Sequence, residues 1–242
     1  MKPKLALVLA FGATPFASAA LINVNFTGNS AETESSLVGP AGGLGTSWNQ
    51  FNGPDSPGTL VDSTGAATTA TIDTNFGLPN TYDSAVIDLT MLRGSMTNFG
   101  KGADNTSVTI GGLTEGSIYD IWMATLRNQP FSSGTPNGTE QYVGWWSTVN
   151  TTTSSSDQLV DARGAAVNTT TFVEGYNFVL FENVEAGAGG NIVFTGVAGP
   201  LIDGSNNDHR LGLNGLQINL VPEPGSLFLL GLGGLLGLRR RR

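Results

Sequence analysis

The stretch "GGLTEGSIYDIWMATL", Gly111–Leu126, decides how the chain is read. Two glycines, a leucine and a Thr-Glu-Gly turn precede Ile118–Leu126, a run rich in β-branched and aromatic side chains. Glycine gives the tight turn, and such side chains suit a pleated, half-buried surface. The pattern predicts a turn whose leucine plugs one end of a core, followed by a long strand.

Similar runs flank it on both sides. "LINVNF" (Leu21–Phe26), "TATIDT" (Thr69–Thr74) and "SVTI" (Ser107–Ile110) alternate apolar and polar residues as half-buried strands do. "QYVGWWSTV" (Gln141–Val149), "GYNFVLFENV" (Gly175–Val184), "GNIVFTGV" (Gly190–Val197) and "LNGLQINL" (Leu213–Leu220) continue the series. Only "SAVIDLTMLRG" (Ser84–Gly94) suits a short helix, and it reads equally as another strand. Many short strands separated by Gly, Asn, Ser and Pro turns predict an all-β fold, a single β-sandwich or jelly roll.

Composition agrees. Of 242 residues, 12% are charged and 34 are glycine, against about 25% charged in an ordinary soluble domain. There is no cysteine, so no disulfide can staple the fold and no thiolate can serve as nucleophile or metal ligand.

Both ends differ from this pleated middle. "MKPKLALVLAFGATPFASAA" opens with Lys2 and Lys4, continues through an apolar Leu5–Phe11, and reaches Ala17-Ser18-Ala19. That order is a secretory signal peptide, with Ala17 and Ala19 in the small-x-small pattern read by signal peptidase and cleavage expected after Ala19. At the other end stand Pro222-Glu223-Pro224, the apolar Leu227–Leu238, and Arg239-Arg240-Arg241-Arg242. Twelve helical residues reach about 18 Å, short of the ~30 Å hydrocarbon core of a bilayer. The arginines keep to the cytoplasmic side, so Pro222 and everything before it would lie outside. Such a segment holds a chain at the inner membrane briefly.

A Pro-Glu-Pro triplet, a short Leu/Gly helix and a terminal Arg cluster together resemble the PEP-CTERM sorting signal of Gram-negative, exopolysaccharide-producing bacteria. The resemblance implies recognition by an exosortase, a membrane cysteine transpeptidase, and removal of the tail near the triplet. Pro222, Glu223 and Pro224 match the triplet, and Arg239, Arg240, Arg241 and Arg242 the basic end. The resulting organisation is residues 1–19 signal peptide, 20–220 β-sandwich and 221–242 sorting tail. The expected location is the inner membrane in transit, then the cell surface or extracellular matrix.

The middle carries a looser likeness. "INVNF" (Ile22–Phe26), "GPAGGLGTSWN" (Gly39–Asn49), "GLTEGSIYDIW" (Gly112–Trp122), "FVEGYNFVLFENV" (Phe172–Val184) and "LNGLQI" (Leu213–Ile218) resemble galactose-binding-like jelly-roll domains found ahead of such tails. The resemblance implies polysaccharide as a partner.

Without its two ends the chain keeps five basic residues (Arg93, Lys101, Arg127, Arg163, Arg210) against eighteen acidic ones, a balance near −13. A surface of that sign repels nucleic acid and anionic lipid.

Trp145-Trp146 is the candidate sugar-binding pair, because saccharide rings present C–H faces that stack on indoles. Neighbouring strand residues face opposite sides, so at most one of the two belongs to the core. Trp48 and Trp122 sit in turn-and-strand motifs and read as core. Asp203, Ser205 and Asn207 have the 1-3-5 spacing of a calcium loop, with Asp208 adding a carboxylate; no Gly stands sixth and no Glu twelfth, so this is no EF-hand. A structural Ca²⁺ and a solvated Asx-rich turn are the two readings of that loop. His209 is the only histidine, and neither a Gly-x-Ser-x-Gly elbow nor a phosphate-binding loop is present. The expectation is no catalytic residue and no organic cofactor. A jelly-roll hydrolase or lyase, the rival class, would need two acids sharing a groove, which sequence cannot locate.

Overall fold

A computed structural model describes residues 20–26, 37–43, 45–51, 58–75, 79–81, 92, 94–97, 106–125, 143–148, 150, 157–161, 171–198 and 212–222. The fold is all-β. One sheet contains β1 (Ile22–Phe26), β2 (Asn49–Phe51), β7 (Ile118–Ala124), β10 (Phe178–Glu185) and β13 (Gly215–Leu220). Its order is β10-β7-β13-β1-β2, antiparallel except for the parallel pair β1–β2. The second sheet contains β3 (Thr71–Thr74), β6 (Thr106–Gly111), β8 (Val143–Thr148), β9 (Asp157–Asp161) and β11 (Ile192–Ala198), in the antiparallel order β3-β6-β11-β8-β9. A small third sheet joins β12 (Gly212–Leu213), β5 (Gly94–Thr97) and β4 (Pro79–Thr81).

Alternation builds the core between the two large sheets. Register aligns Phe181, Ile121, Ile218 and Ile22 in one row of the first sheet, and Val179, Met123, Leu216 and Val24 in the next. The second sheet answers with Ile72, Ile110 and Ile192 in register, and with Val108 and Phe194 beside them. All of these are buried in one cluster. Across the layer the rings of Phe181 and Phe194 stand 5.0 Å apart. Each such side chain removed from water contributes roughly 1.5–3 kcal/mol, and no other described feature approaches their sum.

The turn that opened the sequence reading behaves as expected. Leu113 packs against the core edge, and its N–H donates to the carbonyl of Gly190 at 3.1 Å. The Thr114 N–H donates to the Tyr119 hydroxyl at 3.1 Å, so the strand's own aromatic ring ties down the turn before it. Gly112 and Gly190 both have positive φ, and a Cβ on either would strike backbone, at Thr69 and Leu113 respectively. Only glycine fits these two positions.

Eight of the expected runs contain strands. Five further strands were not foreseen: β2, β4, β5 and β12, which are short and carry little alternation, and β9. β9 is the outer edge of the second sheet and begins at the end of the Thr/Ser-dense Asn150–Asp157 segment. Most of Ser84–Gly94 lies outside the described residues, with Gly94 opening β5.

Two expectations need correction. β1 is buried at all five positions instead of alternating, because the first sheet is covered on both sides. Leu37, Trp48, Leu92 and Ala124 form a second buried cluster, joined by Phe172 and Tyr176. Trp122, expected in the core, is only half-buried. Tyr119, Ile121 and Met123 take the inward positions of β7, which leaves Trp122 on the outward side.

Candidate functional site

The outward side of the first sheet is built from amides. Asn23, Trp122 and Gln217 share one row, since Gln217 pairs with both Asn23 and Trp122. Asn219 pairs with Asp120 in the row beyond. Asn23 and Gln217 are fully buried and therefore need partners. A glycine-rich loop supplies them. The Gln217 amide donates to Asn23 Oδ1 at 2.8 Å and to the Gly42 carbonyl at 3.0 Å. Its Oε1 accepts the Ala41 N–H at 2.7 Å. Asn23 Nδ2 donates to Thr46 Oγ1 at 3.0 Å and to the Ser47 carbonyl at 3.1 Å. Trp48 Nε1 donates to the Gly43 carbonyl at 3.1 Å. A Cβ on Gly39 would collide with the Gln217 amide. The "GPAGGLGTSWN" stretch is thus a lid over the sheet, with Trp48 as its buried anchor.

A second turn lies beside the lid. Asp62 Oδ1 accepts the Thr64 N–H at 2.8 Å, the Thr64 hydroxyl at 2.6 Å and the Ala66 N–H at 3.1 Å. The Thr64 hydroxyl, more than the backbone donors, holds the Asp62 carboxyl below its ordinary value. The Ser63 N–H donates to the Leu21 carbonyl at 2.7 Å and the Ser63 carbonyl accepts the Ser47 N–H at 3.1 Å, so this turn is tied to both β1 and the lid.

Between the turn and the lid lies an open cleft of about 520 Å³, lined by Ala20, Leu21, Ala41, Ser63, Thr64, Trp122 and Asn219. None of these side chains is ionisable. Trp122 is its one aromatic ring, and the amide and hydroxyls of Asn219, Ser63 and Thr64 its polar groups. Sequence reasoning passed over it, although the period-two pattern of Tyr119, Ile121 and Met123 already sets Trp122 apart from the core.

The other candidates fare differently. Trp146 is fully buried in the core, so the stacking role offered to it is withdrawn: a ring enclosed on all sides meets no sugar. Trp145 pairs through its backbone with Val197 and Leu159, and its side chain is not among those described. Asp203, Ser205, Asn207, Asp208 and His209 lie outside the described residues, as do Ala17, Ala19, Glu223, Pro224 and Arg239–Arg242. Among the described residues no group of three or more His, Cys, Asp or Glu converges on a common point. Three described carboxylates hold turns: Asp62 as above, Glu115 by accepting the Gly189 N–H at 3.0 Å, and Asp120 by accepting the Asn183 N–H at 3.0 Å beside a bulge in β10. Asn183 has φ 55° at that bulge.

At the end of the sandwich the Val221 N–H donates to the Ile118 carbonyl at 2.8 Å, and Pro222 is exposed. The first residue of the triplet thus stands immediately outside the last strand. No helix among the described residues is long and apolar enough to cross a membrane.

No curated protein matches the chain. Several solved structures are distantly similar, three of them as follows. The plant receptor-like kinase ANX2 shares 16% identity at a TM-score of 0.42, covering 86% of this chain and 49% of that one. The ANX1 ectodomain from Arabidopsis thaliana gives 15%, 0.41, 86% and 49%. The enzymatically active domain of tailspike protein 4 from bacteriophage CBA120 gives 10%, 0.28, 63% and 19%. The chain therefore spans about half the length of the first two. Residues 220–242, with exposed Pro222 at their head, match the family model described as the PEP-CTERM protein-sorting motif, which supports an exported protein anchored through its C-terminus until an exosortase sorts it.

Proposed function

We propose that the chain is a non-enzymatic protein of the cell surface or extracellular matrix, associated with exopolysaccharide. Signal peptidase removes residues 1–19, the tail holds the folded sandwich at the inner membrane, and an exosortase cuts near Pro222–Pro224. The observation that carries this reading is the match of residues 220–242 to the sorting motif, with the last strand ending two residues before an exposed Pro222. A transpeptidase needs an extended, accessible substrate, and a triplet whose first residue, Pro222, is exposed just beyond the last strand is compatible with that need. The non-enzymatic assignment draws support from the described carboxylates that brace turns and from the uncharged cleft.

Fractionation of a host carrying an exosortase, beside the same host with that gene deleted, tests the proposal. The expected result is release into the matrix in the first and retention in the inner membrane in the second. Replacing Arg239, Arg240, Arg241 and Arg242 by Ser should let the chain slip past the membrane unprocessed. Equal release with and without exosortase would overturn the reading.

A further inference from the structure

The cleft beside Trp122 has features that a structural surface does not require. Its lid and its turn are each held by hydrogen bonds to buried or tethered groups: Ala41 through Gln217, Ser63 through Leu21, Thr64 through Asp62. The walls are therefore in place before anything binds, which lowers the ordering cost of binding. Yet Trp122 stays only half-buried, and no hydrogen bond among the described residues engages the Asn219 side chain. A partly exposed indole bordered by an amide and hydroxyls combines an apolar plane with donors and acceptors at its edge. That is the complement of a pyranose, which has a C–H face and an equatorial rim of hydroxyls.

Charge narrows the ligand further. The domain between the two terminal segments carries a balance near −13, so its field opposes a polyanion. None of the seven described lining side chains is ionisable. The carboxylates of Asp62, bonded to Thr64, and of Asp120, paired with Asn219, stand beside them and add to the negative field, and the amino group left on Ala20 by the expected cleavage would add one positive charge at the edge. An open cleft suits one unit of a longer chain.

We propose that the cleft lined by Trp122, Asn219, Ser63 and Thr64 is a subsite for one neutral pyranose unit of a polysaccharide, stacked on the indole and hydrogen-bonded by the amide and hydroxyls. This names a partner for the surface protein proposed above and rests on that reading only for where the glycan is met. Its test uses purified protein, so its failure is distinguishable from a failure of sorting.

The full chain, recovered from an exporting host and kept in mild detergent, is titrated with cello-, manno- and galacto-oligosaccharide hexamers and, in parallel, with an alginate hexamer. Calorimetry and tryptophan emission are the readouts. At least one neutral series is expected to bind, and the alginate hexamer to bind about tenfold more weakly or not at all. Trp122→Ala should weaken binding by about tenfold or more, the scale of one flat ring stacked on an aromatic plane. Trp122→Phe should retain part of the affinity, and Asn219→Ala should lose several-fold. Circular dichroism establishes that each variant is folded; should Trp122→Ala not fold, Trp122→Phe and Asn219→Ala decide. Silence of all neutral series up to about 10 mM would overturn the proposal. So would preference for alginate, or affinity unchanged in the folded variants.

Discussion

The first sheet has two faces made by the same strands, and they are stabilised in different ways. Inward, β1, β7 and β13 present Val24, Phe26, Ile121, Met123, Leu216 and Ile218 to the second sheet. Outward, they present Asn23, Asn25, Trp122, Gln217 and Asn219 to a glycine-rich lid and an Asp-capped turn. The inward face tolerates any good apolar filling, since dispersion and burial are non-directional. The outward face depends on each amide finding its partner, because a buried unpaired amide costs about 1–3 kcal/mol. One face can be filled approximately; the other has to be wired.

The comparison is broken most directly at its apolar end. Phe181→Ala removes a ring that packs 5.0 Å from Phe194 and should cost about 3–5 kcal/mol in urea unfolding. A loss under about 1 kcal/mol would mean that the inter-sheet layer is not the principal core.

On the wired face, Gln217→Ala removes three hydrogen bonds and leaves Ala41 N–H and Asn23 Oδ1 without their partner. A loss of about 2–3 kcal/mol is expected, together with faster proteolysis within residues 39–48. Stability unchanged to within about 0.5 kcal/mol would show that the lid is not held by the sheet.

Asn25 sharpens the contrast because it sits on the same face with the opposite outcome. Its side chain is buried and, among the described residues, neither amide atom has a hydrogen-bond partner. Asn25→Val, which suits a strand, should be neutral or raise stability by up to about 1 kcal/mol. A loss larger than about 1 kcal/mol in a thermal melt would place an unseen polar partner there.

Asp62 provides the smallest effect. Its carboxyl titrates below its ordinary value when folded, so the ionised form is favoured by folding. That contribution is complete above the ordinary carboxylate range and disappears as pH falls through the depressed value. Because the group is exposed, the effect is small. Wild type should lose slightly more stability than Asp62→Asn on acidification through that window. Parallel curves would rule out the cap.

The core and its strands were visible in the sequence because period-two patterning is local: Ile118–Ala124 declares its inward residues at every second position. The lid was not visible, because hydrogen bonds such as Ala41 to Gln217 join residues 176 positions apart and no local pattern reports them. Trp48 was read correctly as buried, whereas Trp122 was read as core on the company of its motif; counting positions along β7 separates it. Trp146 was offered to a ligand as one of two adjacent indoles of which at most one could be in the core, and it is the one that the core takes. The short strands β2, β4, β5 and β12 carry too few residues for any period to show, and they form through pairing with neighbours instead.

Both faces belong to one body, and the proposed sorting depends on the chain losing both terminal segments in transit. Intact-mass and terminal-peptide mass spectrometry of protein recovered from the extracellular matrix measures this. A polypeptide that starts at Ala20, within a residue, and stops at or near Pro222–Pro224 is the expected result. Matrix protein that still ends in Arg242 would contradict it.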